Sequence, residues 1–237
     1  MARKGNISRE RKGKDSIERP VRWRKYQQIY LVVCEDEKTE PFYFDSFKNA
    51  FPEEVFYLRC IGTGRDALGV VESAIAECQK LTLESKKEVD FVWAVFDKDD
   101  LDLNESRRER FNKAFQIAKK NNIHVAMSNE AFELWLLLHL TNIDSRNPIP
   151  RSDLYLQLEE QIRKHEMDMA FSYKHGDDTV IRKVSQYGNE QLAIQRAKTL
   201  EEKFTDKDPI LANPSTLVYK LVVELRAFIE FHNWKRD

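Results

Sequence analysis

Short, apolar-rich runs of residues alternate with segments of helical periodicity along the first half of the chain. The runs lie at 29–34, 55–61, 90–96 and 123–127, and each is short and rich in β-branched or aromatic residues. The first run and, after Asp90, the third are continuous rather than alternating, which is typical of strands that are buried on both faces of a sheet. Strands of this kind, separated by helices, predict a mostly parallel sheet that helices cover.

Helical periodicity fills the segments between these strands. The expected helices run from Pro41 to about Asn49 or Phe51, from Asp66 to about Leu83, from Glu105 to Asn121, and onward from a cap at Ser128 or Asn129. After Pro148 and Pro150 only helical patterns follow, near 152–164, 178–203 and 214–231. The last pattern is expected to begin at Asn213-Pro214-Ser215-Thr216, since such residues favour the start of a helix.

The predicted fold class is α/β, with a mostly parallel sheet flanked by helices and a helical C-terminal part. We place an α/β domain at 27–145 and a helical region, packed on it, at 146–237. Residues 1–26 precede both. They show no apolar periodicity, so we predict a disordered arm.

The charges are distributed unevenly, although the net charge of the chain is only -1. Residues 2–25 hold ten basic and three acidic residues, so the remainder is acidic. A basic arm on an acidic body favours a phosphate-bearing or acidic partner such as nucleic acid. A solvated tail that improves solubility explains the same composition, and the sequence leaves both interpretations open.

Composition narrows the class of protein. An apolar content of 41% with 4 Trp, 8 Tyr and 14 Phe residues is enough to build a core. No apolar run reaches the roughly 18 to 20 residues of a membrane span, and we expect neither a leader peptide nor a membrane partner. The three cysteines are far apart and are expected to be reduced thiols of a cytoplasmic protein.

Acidic residues follow two of the predicted strands at the point where each strand ends. Glu35 follows the first strand, and Asp97, Asp99 and Asp100 follow the third. Because ligands of parallel sheets bind beyond the carboxyl ends of the strands, these carboxylates converge if the strands are neighbours. Oxygen donors without His or Cys favour Mg²⁺ or Mn²⁺. The alternative is that loops are simply polar and that Asp caps helices.

Other residues add to this hypothesis with less specificity. Glu133 falls within an otherwise apolar helix, where it is either an acid that supports a metal site or one that the helix dipole stabilises. His139 lies on the face of that helix shared with Trp135, which is typical of a hydrogen-bonded core histidine. Lys38 is either a contact for a substrate phosphate or a surface lysine.

Several motifs resemble those of known protein families. An apolar strand that ends in Glu35 and a third strand that ends in Asp97-Lys98-Asp99 are similar to Toprim domains. More specifically, the chain resembles the RloB family of prokaryotic proteins, through VVCEDEKTEPFYF (32–44), VWAVFDKDD (92–100), MSNEAFELWLLLHL (127–140) and NPSTLVYKLVVEL (213–225). These motifs span roughly residues 28–228.

The resemblance implies a Toprim-like domain whose Glu35, Asp97 and Asp99 bind magnesium. It also places Glu133 in a family motif and Lys174 in a Tyr-Lys signature, which suggests contact with a substrate phosphate. RloB-like proteins are encoded near restriction systems and in phage-defence loci, and some resemble the second component of the AbiL system, whose first component is a P-loop ATPase. One departure is Asp36, where the family usually has glycine.

Three functional hypotheses follow. The first is a Mg²⁺- or Mn²⁺-dependent nuclease in abortive-infection defence, acting on DNA or on structured RNA such as tRNA. The second is a Toprim-like subunit without turnover that docks on a P-loop ATPase. The third is a different phosphotransfer enzyme on the same fold. Gly62-Thr63-Gly64 does not favour a nucleotide-binding site, because it lacks the remaining residues of either glycine-rich motif.

Overall fold

The computed structural model describes residues 26–51, 56–99, 104–166, 170–204 and 208–234. The predicted basic arm lies outside these residues, except for its last position, and Asp100 lies outside them too. The arm and the role of Asp100 therefore stay predictions.

A five-stranded sheet forms the centre of the molecule. Its strands are β1 (Gln28–Cys34), β2 (Phe56–Gly62), β3 (Phe91–Asp97), β4 (His124–Asn129) and β5 (Ser215–Thr216). The order across the sheet is β2-β1-β3-β4-β5, and every pair is parallel except β4 with β5. The mostly parallel sheet, the flanking helices and the helical C-terminal part confirm the predicted fold class.

Eight α-helices accompany the sheet in the described ranges. They are α1 (Thr39–Asp45), α2 (Ala67–Ser85), α3 (Glu105–Lys120), α4 (Glu133–Leu140), α5 (Arg151–Glu166), α6 (Thr179–Tyr187), α7 (Glu190–Glu202) and α8 (Val218–Trp234). The helix that was expected to reach Asn49 or Phe51 ends at Asp45 and continues as a 3₁₀ helix, Ser46–Ala50.

The two faces of the sheet build separate hydrophobic cores. On one face Leu31, Ala94 and Phe96 pack with residues of α2 and α3. On the other face Tyr30 and Trp93 pack with residues of α1, α4 and the C-terminal helices. Residues on both sides of the proposed boundary at 145 therefore share one core, and that boundary stays a prediction.

Strands β1 and β3 are parallel neighbours, as the acidic cluster requires. Cys34 pairs with Val95, and Asp97 in turn pairs with Ser128 of β4. The carboxyl ends of the central strands thus meet at one edge of the sheet, which brings Glu35 and Asp97 together.

Three further predictions about helix boundaries are wrong. Ser128 and Asn129 belong to β4, and α4 begins only at Glu133. The expected helix at 178–203 is two helices, because Gly188 ends α6 and the side chain of Asn189 caps α7 by accepting the Leu192 N–H at 2.9 Å. Ser215 and Thr216 form β5 rather than the first turn of α8.

Candidate active site

A cleft of about 680 Å³ opens at the carboxyl ends of β1 and β3. Its lining includes Glu35, Asp97 and Asp99 of the predicted metal site, together with Lys38. The α2 side and the start of α3 form another wall, through Gly64, Arg65, Asp66, Ala67, Arg107 and Phe111. The cleft is therefore where the fold places the predicted chemistry.

Glu35 and Asp97 are in direct contact across the two strands. The backbone N–H of Asp97 donates to Glu35 Oε2 at 2.9 Å, and the backbone N–H of Glu35 donates to the Val95 carbonyl at 2.9 Å. The loop after β2 supports the same strand end, since Gly64 N–H donates to the Glu35 carbonyl at 2.8 Å. The position of the Glu35 carboxylate is therefore fixed by the backbone of β3.

Arg151 is the counter-ion of the two aspartates at the end of β3, Asp97 and Asp99. Its Nη2 lies 3.4 Å from Asp97 Oδ2 and is also paired with Asp99 Oδ1. Asp99 has a φ of +55°, so the backbone turns sharply just after the strand. Arg151 opens α5, more than fifty positions from Asp97 along the chain, and nothing in its local sequence marked it as part of the site.

Burial and mutual repulsion raise the proton affinity of the central carboxylates. Burial raises the pKa of Glu35 to about 7, although the Asp97 N–H and Arg151 act in the opposite direction. Burial and the charges of Glu35 and Glu133 raise the pKa of Asp97 well above its ordinary value. The strand ends thus form a site that favours a cation or a proton.

A further carboxylate, Glu40, belongs to this cluster. Its side chain is 1% exposed, and burial, followed by the charges of Asp97 and Glu35, raises its pKa well above the ordinary value. Glu40 Oε2 accepts the Asp36 N–H at 3.1 Å. Sequence reasoning missed it, but a signal existed, because Glu40 precedes Tyr43 and Phe44 by three and four positions on the inward face of α1.

Glu133 anchors a hydrogen-bonded group beside the cleft. It is 2% exposed, accepts the Tyr173 hydroxyl, and lies 3.5 Å from His175 Nδ1. His175 Nε2 in turn lies 3.5 Å from Asp36 Oδ1. Contact with Asp36 and Glu133 raises the pKa of His175 to about 10. Burial acts to raise the pKa of Asp36, but the hydrogen bonds from His175 and Thr39 outweigh it and lower that pKa.

Lys98 separates Asp97 from Asp99 and points into a different environment. Its Nζ donates to Glu130 Oε1 at 2.9 Å, and the Lys98 side chain is only 2% exposed. Asn213 Nδ2 donates to the same oxygen at 3.0 Å. This buried ion pair holds the backbone on which both aspartates are mounted.

Of the two lysines that were predicted to contact a substrate phosphate, Lys38 lines the cleft and Lys174 does not. Lys38 is exposed and lines the cleft, and its Cδ would lie 3.3 Å from a Cβ placed on Gly176. Lys174 is exposed too, but its neighbours His175 and Gly176 line the cleft in its place.

The carboxylates of the site are chemically suited to a divalent cation, but their present arrangement is not that of a metal site. Asp97 Oδ1 is buried without a hydrogen-bond partner, and carboxylate oxygens are the ligands that Mg²⁺ and Mn²⁺ prefer. Within the described ranges, however, no three His, Cys, Asp or Glu side chains are grouped so that they could hold a metal ion. Arg151 lies against two of the three described candidates, and the fourth, Asp100, is outside the described residues.

In the part of the chain that the structure describes, no helix is long and apolar enough to cross a membrane.

Comparison with known proteins agrees with the motifs of the sequence. No curated protein and no solved structure matches the chain. A family model described as RloB-like protein matches residues 30–225, well over half of the sequence. The chain therefore belongs to the RloB-like protein family.

Proposed function

We propose that this protein is a Toprim-like, divalent-metal-dependent nuclease that cleaves phosphodiester bonds in RNA or DNA. The observation that carries the proposal is the contact between Glu35 and Asp97 at the carboxyl ends of two parallel strands, at the base of an open cleft. Carboxylates so placed, with cationic side chains around them, suit the binding of a metal ion and a phosphate in one site.

Each residue of the site has a separate role in this proposal. Glu35, Asp97 and Asp99 would hold Mg²⁺ or Mn²⁺, once Arg151 gives up its contacts with the aspartates. The bound ion would polarise a phosphate oxygen and lower the pKa of a coordinated water. Glu133 would orient Tyr173 and His175 beside the cleft, and Lys38 would contact a substrate phosphate.

Family membership supports the biological setting of the proposal. Because RloB-like sequences resemble components of defence loci, we infer an effector of abortive infection in the cytoplasm, working with a P-loop ATPase. Structured RNA such as tRNA is as suitable a substrate as DNA, since a phosphodiester is common to both.

Incubation with separate RNA and DNA pools tests the proposal. Wild type should release products with Mg²⁺ or Mn²⁺ and none with EDTA, and Asp97→Asn should abolish them. Asp153→Asn is the matched control, because Asp153 is an exposed carboxylate in the first turn of α5. Cleavage by Asp97→Asn at the wild-type rate would refute the assignment of the site.

Thermal unfolding tests the metal site separately from turnover. A ligand that binds only the folded state raises its stability by mass action. Mg²⁺ or Mn²⁺ should therefore raise the melting temperature of wild type and leave that of Asp97→Asn unchanged. Arg151→Met should increase the metal-induced shift, because the ion no longer competes with the guanidinium. An equal shift in all three proteins would place the ion elsewhere.

A second candidate function is a subunit without turnover that docks on the partner ATPase. The observation in its favour is Arg151, which neutralises Asp97 and Asp99 without a metal ion. If this candidate is correct, both nucleic-acid pools should remain intact with metal, with and without the ATPase, while the ATPase binds wild type and Asp97→Asn equally.

A further inference from the structure

We propose that Lys38, Arg65 and Arg107 form a phosphate-binding rim on the cleft, which holds the backbone of a nucleic-acid strand. The inference rests on the proposed function and names the groups that would present the substrate to it. The three side chains come from the start of α1, the loop before α2 and the first turn of α3, and all three line the cleft.

Within the described ranges, the cations of the rim differ from Arg151 and Lys98 in that none of them forms an ion pair. Arg151 is paired with Asp97 and Asp99, and Lys98 is paired with Glu130. Among the described residues, no acidic side chain forms an ion pair with Lys38, Arg65 or Arg107. Arg110 and, to a smaller extent, the charge of Arg107 lower the pKa of Asp66, but Arg107 makes no ion-pair contact with it. All three cations are exposed and can contact an anion that enters the cleft.

Two of the three side chains have stems that rest on glycines. A Cβ placed on Gly69 would lie 2.8 Å from Arg65 Cβ and 3.1 Å from Arg65 Cδ. A Cβ on Gly176 would lie 3.3 Å from Lys38 Cδ. Packing of the stems restricts their rotamers, so less conformational entropy is lost when the charged groups bind a phosphate.

The rim would offset the electrostatic repulsion between the acidic centre of the cleft and a negatively charged substrate. Glu35, Asp97 and Asp99 repel an approaching phosphodiester, so its neighbouring phosphates need cationic contacts at the edge of the cleft. Arg65 and Arg107 lie on the wall formed by α2 and α3, and Lys38 lies beside α1. A strand that enters the cleft would therefore meet cations from three different elements around the acidic centre.

The lining also indicates which part of a nucleic acid is recognised. Phe111 and His175 are the aromatic side chains among the described residues of the lining; Phe111 is 2% exposed and His175 is paired with two carboxylates. The cleft therefore lacks an open platform for base stacking there, and contacts with phosphates carry no sequence information. We expect binding that depends strongly on salt and weakly on base sequence.

The test compares wild type with the double variant Arg65→Gln/Arg107→Gln in EDTA, where binding is measured without cleavage. The probes are a labelled single-stranded RNA, a labelled RNA hairpin and a labelled DNA duplex, each titrated at several salt concentrations. Loss of two phosphate contacts should reduce the log–log salt slope by about 1.8 for a duplex and about 1.4 for a single strand.

The matched control is Lys113→Gln/Lys119→Gln, which removes the same charge from exposed positions of α3 outside the cleft. Its slope should change much less than that of the rim variant. Equal changes in both variants, no change in either, or no binding by wild type would each overturn the proposal. Circular dichroism and melting temperature verify that both variants fold.

Failure of the rim is distinguishable from failure of the nuclease. Rim-dependent binding without metal-dependent cleavage would refute the nuclease and leave the rim in place. Metal-dependent cleavage with an unchanged salt slope in the rim variant would refute the rim alone. The single-stranded and duplex probes show which form of the backbone the cleft accepts.

Discussion

At the scale of single residues, His175 links a carboxylate of the loop after β1, Asp36, with one at the start of α4, Glu133. Its ring nitrogens lie 3.5 Å from Asp36 Oδ1 and from Glu133 Oε1. The pKa of His175 in the folded protein is about 10, against an ordinary value of 6.5. Its stabilising effect is therefore complete below about pH 6.5 and is lost as the pH rises towards 10.

His175→Gln should lower stability most at pH 6 and little near pH 10. The difference in free energy of unfolding between wild type and variant, measured by urea denaturation across this range, gives the dependence directly. His165→Gln is the control, because His165 is exposed, stacks on Tyr187 and forms no ion pair with an acid of the described residues. A difference that grows with pH would contradict the assignment.

The ion pair between Lys98 and Glu130 is the most buried one among the described residues. Lys98→Met should destabilise the fold by about 3–5 kcal/mol, because it leaves the Glu130 carboxylate buried without its cation. Lys98→Met/Glu130→Gln should recover part of this loss, since Asn213 can still bond to the neutral side chain. Equal stability of the single and double variants in chemical denaturation would show that the two side chains are not coupled.

The chemistry of the site was partly predictable from the residues. Glu35 and Asp97 end two buried apolar runs, so their convergence follows from parallel pairing of the strands. Arg151 was not predictable in this way, because it reaches the site from a helix whose docking is set by the tertiary fold. Glu40 was predictable from the helical pattern of α1. Its position just before Pro41 is, however, equally typical of a polar residue at the start of a helix.

At the scale of elements, two residues, Gly188 and Asn189, separate α6 from α7. A Cβ on Gly188 would lie 2.5 Å from the Val184 carbonyl oxygen and 2.7 Å from His139 Cβ. Gly188→Ala should therefore destabilise the protein by about 1–3 kcal/mol, as overpacking does. Ser185→Ala, at an exposed position of α6, is the control and should change stability by less than about 0.5 kcal/mol. Thermal unfolding of both variants measures the difference.

The strands were easier to predict than the ends of the helices. Buried parallel strands are marked by continuous apolar runs, and the observed bounds of β1 and β3 differ from the expected ones by a single residue at most. The break at Gly188 and the short strand β5 depend on contacts with His139 and β4, which are distant in sequence. Local periodicity continues through both positions, so it could not reveal either one.

At the scale of the whole molecule, the cleft is composed of both regions that the sequence suggested. The sheet and its loops supply Glu35, Asp97 and Arg65, whereas the C-terminal part supplies Arg151 and His175. Packing of the helical region onto the sheet therefore completes the site. The match to the RloB-like family model, at residues 30–225, covers both regions.

The basic arm, which lies outside the described residues, is a second source of positive charge for the whole protein. Its ten basic residues are accompanied by Trp23 and Tyr26 as the nearby stacking groups, so any contact with nucleic acid should be made to phosphates. Deletion of residues 2–25 should flatten the salt slope of binding by about 0.9 for each duplex phosphate that the arm neutralises. The melting temperature should be unchanged, because no apolar periodicity ties the arm to the core.

The arm and the rim make separable contributions if both contact the same strand. Deletion of the arm combined with Arg65→Gln/Arg107→Gln should reduce the slope by the sum of the two separate reductions, since counterion release is additive over phosphates. Cleavage at low salt should survive deletion of the arm, because Glu35 and Asp97 are untouched. If the truncated protein binds with the wild-type slope, the arm does not contact nucleic acid, and docking to an acidic protein partner or solubility becomes its better explanation.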